Sequence, residues 1–432
     1  MNASPLDQIP ASVRALAPSR RGLMLGGAGV GAAALLAGCG GSSSGGDSKS
    51  VTVGSNQSDE IPKKAVAEMM AGFTGGEVKI NTIDHATFQQ NITNYLQADP
   101  DDVFSWFAGY RARYFADQGL VGDLSDVWSK ITGMPEAMKA ASTDSSGRQI
   151  FVPSTYYPWA VFYKPSVFAE HGWSAPTTYD ELMALNEQVK AAGMTPFAMA
   201  DKDGWEAMGT FDILNLRLNG YDFHISLMAG EEAWDGEKVK NVFSAWSDLV
   251  PFQQADPLGR TWQEAAQSML KNESAMYYIG MFVGQQWQES EAPEDLDFFT
   301  FPEMDTAIGA DVVEAPVDGY MMAAKPKNEA MAKDLLLYIS TPEAEAITLK
   351  GDPSVIGAND AVDQSGYSAL QKKAVELIGS AANLSAFLDR DTRPDFASTV
   401  LSPSIQGFLQ NPSDIDSILK SIESQKASIF GS

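Results

Sequence analysis

The chain has 432 residues, with 30 Lys and Arg against 56 Asp and Glu, a formal charge of −26 and one cysteine. That acidity argues against nucleic acid or anionic lipid as a partner and suits an uncharged or cationic ligand, although it also serves solubility outside a cell. The length exceeds what one hydrophobic core usually serves, so two lobes are expected.

The first element is an address. Ser19-Arg20-Arg21-Gly22-Leu23-Met24 looks like a twin-arginine export motif. The apolar run from Leu23 to Leu36 is short and rich in Gly and Ala, which marks it for cleavage rather than membrane spanning. Leu36-Ala37-Gly38-Cys39 resembles a lipobox, in which the thiol takes a diacylglycerol and becomes the first residue of the mature chain. Residues 1–38 are therefore expected to be a removable signal, and Cys39 the lipid anchor on the outer face of the bacterial cytoplasmic membrane. Two or three acyl chains hold such an anchor where one binds reversibly. Cleavage leaves 394 residues and, with Asp7, Arg14, Arg20 and Arg21 gone, a charge of −28. Residues 39–50, nearly all Gly and Ser at first, have the composition of a flexible tether. No later segment reads as transmembrane.

The mature chain then alternates β-rich runs with amphipathic helices. Val51-Thr52-Val53 predicts a strand; after a loop from Gly54 to Ile61, Pro62 opens a helix with Val66, Met69, Met70 and Phe73 on one face. A strand over Val78 to Ile83 follows, then a helix marked by Phe88, Ile92, Tyr95 and Leu96, and a buried strand over Val103 to Trp106. This β-α-β-α-β start predicts a parallel sheet, with the loops after the strands meeting at one edge where a ligand crevice belongs. Thr178-x-x-Glu181 and Thr261-x-x-Glu264 have capping-box spacing, and the first of these helices should end at Gly193.

Several stretches resemble the extracellular solute-binding proteins of ABC importers, in particular the carbohydrate and maltodextrin-binding branch. Asp101 to Trp106 with Gln118 to Leu124, then Tyr156 to Pro165, Glu273 to Phe282, Ala315 to Tyr320 and Phe387 to Asp391 are similar to that family's motifs. The resemblance implies a two-lobed α/β fold of the type II periplasmic-binding class with hinge crossings. The implied lobes are 51–156 with 317–360, and 157–316 with 361–432. It also singles out Trp106 as a sugar-facing ring and places Tyr157 as a ligand contact. Phe282 stands where the family has a stacking Trp. Gly280, Asp318, Gly319, Tyr320, Asp389 and Arg390 fall in its later contact regions. Tyr156 and Trp159 read as hinge packing.

Carbohydrate chemistry supports the same direction. A pyranose has apolar CH faces and a belt of hydroxyls, so its site needs flat rings and side chains that donate and accept. Trp106, Tyr157, Trp205 and Phe282 are the candidate rings; Asn56, Glu60, His85, Asp318, Asp389 and Arg390 form the candidate polar rim. His85 has no Cys or second His near it, so neither a metal nor a cofactor is expected. The expected function is capture of a sugar, a di- or oligosaccharide, by a monomeric receptor that closes on it and delivers it to the membrane permease. A binder of a glycerophosphodiester or peptide, or a lipid-anchored glycosidase with two carboxylates across the bond, are the alternatives. No zinc-protease or nucleotide-binding motif is present to favour an enzyme, and the one G-x-S-x-G run, Gly41 to Gly45, falls in the Gly and Ser tether rather than between a strand and a helix.

Overall fold

The computed structural model describes residues 49–288 and 290–431; the expected export motif and Cys39 lie outside these. Twelve strands are described: β1 (Ser50–Ser55), β2 (Glu77–Thr82), β3 (Val103–Phe107), β4 (Val152–Tyr156), β5 (Trp159–Tyr163), β6 (Thr195–Phe197), β7 (Ser274–Gly280), β8 (Asp297–Phe299), β9 (Val312–Glu314), β10 (Val317–Met322), β11 (Ile356–Gly357) and β12 (Asn383–Ser385). They form a six-stranded sheet in the order β11-β4-β10-β3-β1-β2, a four-stranded sheet β6-β7-β5-β8 and the pair β12-β9.

The opening units form as their apolar periodicity dictates. Val51 and Val53 alternate into the core, and β1 pairs in parallel with β2 and β3. The intervening helices Glu60–Ala71 and His85–Gln97 bury Ala65, Val66, Met69 and Met70, and Phe88, Ile92 and Leu96. Pro62 is the third residue of its helix rather than the first, which costs little because first-turn N–H groups have no intrahelical acceptor. Both capping boxes form. The six-stranded sheet is nevertheless mixed: β10 inserts between β3 and β4 and runs antiparallel to both.

That insertion follows from the route of the chain. It leaves the first sheet at the end of β4, crosses through Tyr157 and Pro158 and enters the second sheet as β5. It returns through Ala315 and Pro316 between β9 and β10, and Val317 pairs with Tyr156, so the outgoing and returning crossings lie side by side. The second lobe is held by a largely aromatic core in which Phe211 stacks on Trp234 and Phe243 and Trp246 pack against Phe408. Among the described residues, no helix is long and apolar enough to cross a membrane.

Candidate functional site

A cavity of about 370 Å³ lies where the C-terminal ends of the first three strands face the second lobe. Gln57 and Ser58 after β1, His85 after β2, and Ser105 and Phe107 on β3 supply one wall. The loops from separate strands therefore converge, as the crevice rule requires. Trp205, Trp262, Phe282 and Phe387 supply the opposite wall, with Tyr157 and Asp318 on the two crossings and Asp389 and Arg390 closing the base.

The base is a chain of charge-assisted hydrogen bonds. Arg390 Nη1 donates to Asp318 Oδ1 at 3.0 Å and Nη2 to the Tyr157 hydroxyl at 3.4 Å, while the guanidinium lies 3.8 Å above the Phe107 ring. Arg111 donates to Asp389 Oδ2 at 3.1 Å and to Gln89 Oε1 at 2.7 Å. Gln89 Nε2 in turn lies 2.8 Å from His85 Nε2. Burial first, and then the charge of Arg390, push the His85 imidazole down to about 4, so it is neutral at ordinary pH. Burial raises the Asp318 carboxyl, and Arg390 partly offsets that rise. Asp389 Oδ1 and Arg390 Nε are buried without a hydrogen-bond partner and lie 4.0 Å apart. Such atoms are costly unless a ligand hydroxyl, which both donates and accepts, satisfies them.

Above this base stand the rings. Trp205 and Phe282 are half-buried, their centroids 6.1 Å apart. Trp205 meets Trp159 at 86° and His85 at 60°; Trp159 stacks on Phe387 at 4.8 Å. Phe282 is wedged edge-on between Tyr157 and Trp262. Gly204, at φ +78°, lets the loop turn just before Trp205. The ensemble presents apolar ring surface over a donor and acceptor floor, the combination a sugar ring demands.

Of the thirteen expected contacts, His85, Tyr157, Trp205, Phe282, Asp318, Gly319, Tyr320, Asp389 and Arg390 line this cavity. Four lie elsewhere. Trp106 is 1% exposed and packs among Phe88, Phe115 and Arg111 behind the sheet, because alternation along β3 turns Ser105 and Phe107 to the cleft instead. Asn56 is buried and tied to Ser105, its N–H donating to Ser105 Oγ at 2.8 Å and its Oδ1 accepting from that hydroxyl at 2.7 Å. Glu60 opens a helix on the surface and borders a neighbouring chamber. Gly280 contacts the site only through its neighbours, since a Cβ there would strike Phe282 and approach Tyr157 Cε2 to 2.9 Å. Gly319 sits at a β-bulge, and a Cβ there would come within 2.9 Å of Pro153 Cα, so only glycine lets β10 approach β4 so closely.

Residues not anticipated include Phe107, Gln89, Trp159, Trp262 and Phe387. Trp159 is more than hinge packing: it lines the cavity. Strand parity would have selected Phe107; nothing local marks Gln89. Among the described residues no group of three His, Cys, Asp or Glu side chains could hold a metal ion.

A two-lobed α/β receptor with a ring-lined cleft between crossings is the class this architecture defines, the type II periplasmic solute-binding fold. The sequence pattern of bacterial extracellular solute-binding proteins matches residues 54–346, and the chain belongs to that family. It is 44% identical to the bacterial solute receptor AcbH, described as having an exclusive substrate preference for β-D-galactopyranose; the match covers 88% of this chain and 99% of that one with a TM-score of 0.86. A chitin oligosaccharide binding protein shares the fold at 20% identity over 90% of this chain and 100% of its own, with a TM-score of 0.80. An uncharacterized ABC transporter extracellular-binding protein of Pyrococcus horikoshii is 24% identical over 296 residues, 66% of this chain and 64% of that protein. The Multiple sugar-binding protein of Streptococcus mutans is 22% identical over 200 residues, 45% of this chain and 47% of its own length. The chain spans between about two fifths and two thirds of the length of the curated relatives it matches.

Proposed function

We propose that this protein captures a single hexopyranose, β-D-galactopyranose being the first candidate, and delivers it to the permease of an ABC importer without altering it. The observation that carries the reading is the cavity of about 370 Å³ in which the Trp205 and Phe282 rings stand over Asp318, Asp389, Arg390 and His85. Its volume is at the small end for ligand sites, which favours one ring over the di- or oligosaccharide expected from sequence. The likeness to a galactopyranose receptor at 44% identity points the same way. A charged floor that pairs with specific hydroxyls rejects epimers, because a misplaced hydroxyl leaves a buried group unpaired at roughly 1 to 3 kcal/mol. A hydrolase would need a free acid opposite a second carboxylate, whereas Asp318 and Asp389 are each held by an arginine.

Sheet membership supports hinged lobes of 51–156 with 317–360 and 157–316 with 361–432: β4 and β10 belong to one sheet, β5 and β7 to the other. Sugar held from both sides stabilises the closed form by its extra contacts, and the closed monomer is what the permease recognises. The motifs around Arg20-Arg21 and Cys39 support twin-arginine export and lipid anchoring outside the cytoplasmic membrane. Calorimetry with galactose, glucose, mannose and arabinose tests the reading. Galactose at 100 times its dissociation constant should add roughly 2.7 kcal/mol to stability. Absence of binding to every pyranose would overturn it.

A further inference from the structure

Beside the cavity lies a second chamber of about 710 Å³. Asp59, Gln263 and Gln285 line both spaces, so these three side chains form the wall between them. Gln263 Nε2 donates to Asp59 Oδ1 at 3.1 Å, and Gln285 Nε2 to Asp352 Oδ2 at 2.8 Å. Both bonds run from the stretch 157–316 to the stretches 51–156 and 317–360, and the first closes the wall on the side of Asp59. Asp59 occupies the N-cap position of the Glu60–Ala71 helix, where an aspartate ordinarily accepts from its own helix, yet its side chain makes no cap bond and reaches Gln263 instead. Gln263 is aimed by the Thr261 and Glu264 capping box that fixes the start of the Trp262–Leu270 helix.

The chamber beyond has the chemistry of the cleft. Gln267 Nε2 donates to Gln286 Oε1 at 3.0 Å, and Ser290 and Glu60 border the same space. Amides, hydroxyls and carboxylates of this kind pair with sugar hydroxyls. We propose that the Asp59–Gln263 bond is the partition that limits the ligand to one ring, and that the outer chamber accepts a second glycosyl unit when the partition is removed. This inference rests on the hexose reading above.

Its test measures, by calorimetry on the purified protein, dissociation constants for galactose and for two galactosyl disaccharides, lactose and melibiose. In the wild type both disaccharides should bind at least 100-fold more weakly than galactose. In Gln263→Ala, and independently in Asp59→Ala, the ratio of disaccharide to galactose constants should fall at least tenfold for one of them. Adding Gln267→Ala to Gln263→Ala should return part of that fall. A wild type that binds a disaccharide as tightly as galactose overturns the partition, as does a ratio unchanged within twofold in either single variant. A wild type that binds no hexose overturns the underlying function, a distinguishable result. Because Asp59 caps nothing and Gln263 is half-buried near the protein's surface, the folded state should survive both changes, and a ligand-free melt checks it.

Discussion

Arg111 dictates which nitrogen of His85 carries the proton, although the two side chains are linked only through Gln89. Arg111 donates to Gln89 Oε1 at 2.7 Å and to its backbone carbonyl at 2.8 Å, which leaves the amide NH₂ turned toward His85 Nε2 at 2.8 Å. His85 Nε2 must accept, so Nδ1 holds the hydrogen. With its imidazole pushed down to about 4, His85 protonates in the folded protein only in acid, and sugar affinity should be flat from about pH 5.5 to 8 and fall toward pH 4. Gln89→Glu replaces the donor by a carboxylate that favours imidazolium. The acid limb should then move to higher pH, which binding titrations and the histidine NMR shifts would record; an unmoved limb would contradict the relay.

Arg390 answers the largely buried Asp318 at 3.0 Å, and removing one partner of such a pair costs up to about 3 to 5 kcal/mol. Arg390→Ala should lower stability by that order and abolish detectable sugar binding. Arg390→Ala with Asp318→Asn removes the stranded charge, so denaturant melts should recover most of the stability while calorimetry still shows no binding. Recovery of binding in the double variant would contradict the role given to this pair.

Gly280 has φ −68°, which any residue adopts, so Gly280→Ala is a purely steric change. The added methyl displaces Phe282 and crowds Tyr157. Sugar affinity should drop by about ten- to a hundredfold, 1 to 3 kcal/mol, as for other overpacked sites. The melting temperature should fall only slightly, because Phe282 can swing toward the cavity. A variant with unaltered affinity would show that Phe282 is not a ligand contact.

Glu345 lies far from the rings, buried and accepting from the Asn359 N–H at 2.9 Å, and burial pushes its carboxyl up to about 8 from an ordinary 4.5. A carboxyl raised on folding is content when protonated. Its penalty begins as pH rises past the unfolded value, grows through about 8 and is constant above, reaching roughly 2 to 5 kcal/mol. Glu345→Gln should therefore be more stable than wild type at pH 9 and lose that advantage at pH 5, as paired melts would show.

Cys39→Ala removes the thiol on which the proposed anchor depends. The protein should move from the membrane fraction to the medium or periplasm, as fractionation and immunoblotting would show. Retention with the membrane would dismiss lipidation at Cys39 as its means of attachment.

Much of the fold was legible because it is periodic. The alternation of Val51 and Val53, the helical face of Phe88, Ile92 and Leu96, and two capping boxes specify elements within a few residues. The insertion of β10 was not legible, since strand pairing between Val317 and Tyr156 joins residues with no local relation. The same division runs through the site. Positions after strands point to His85 and Tyr157, but at the end of β3 the larger ring, Trp106, diverts attention from its neighbour Phe107, and only the pleat tells them apart. The Asp389-Arg390 pair is visible as a motif; that Arg390 reaches Asp318 and Arg111 reaches Asp389 is visible only once distant segments meet.

The adjacency of the two crossings also decides how motion is felt inside the molecule. In the hinged closure proposed above, Tyr157 on the outgoing link and Asp318, one residue beyond the start of β10, would sit at the pivot. Trp205 and His85, on opposite halves, meet with ring centroids 6.2 Å apart. In that closure a guest would find its handholds at the pivot itself, with one ring from each half meeting across it.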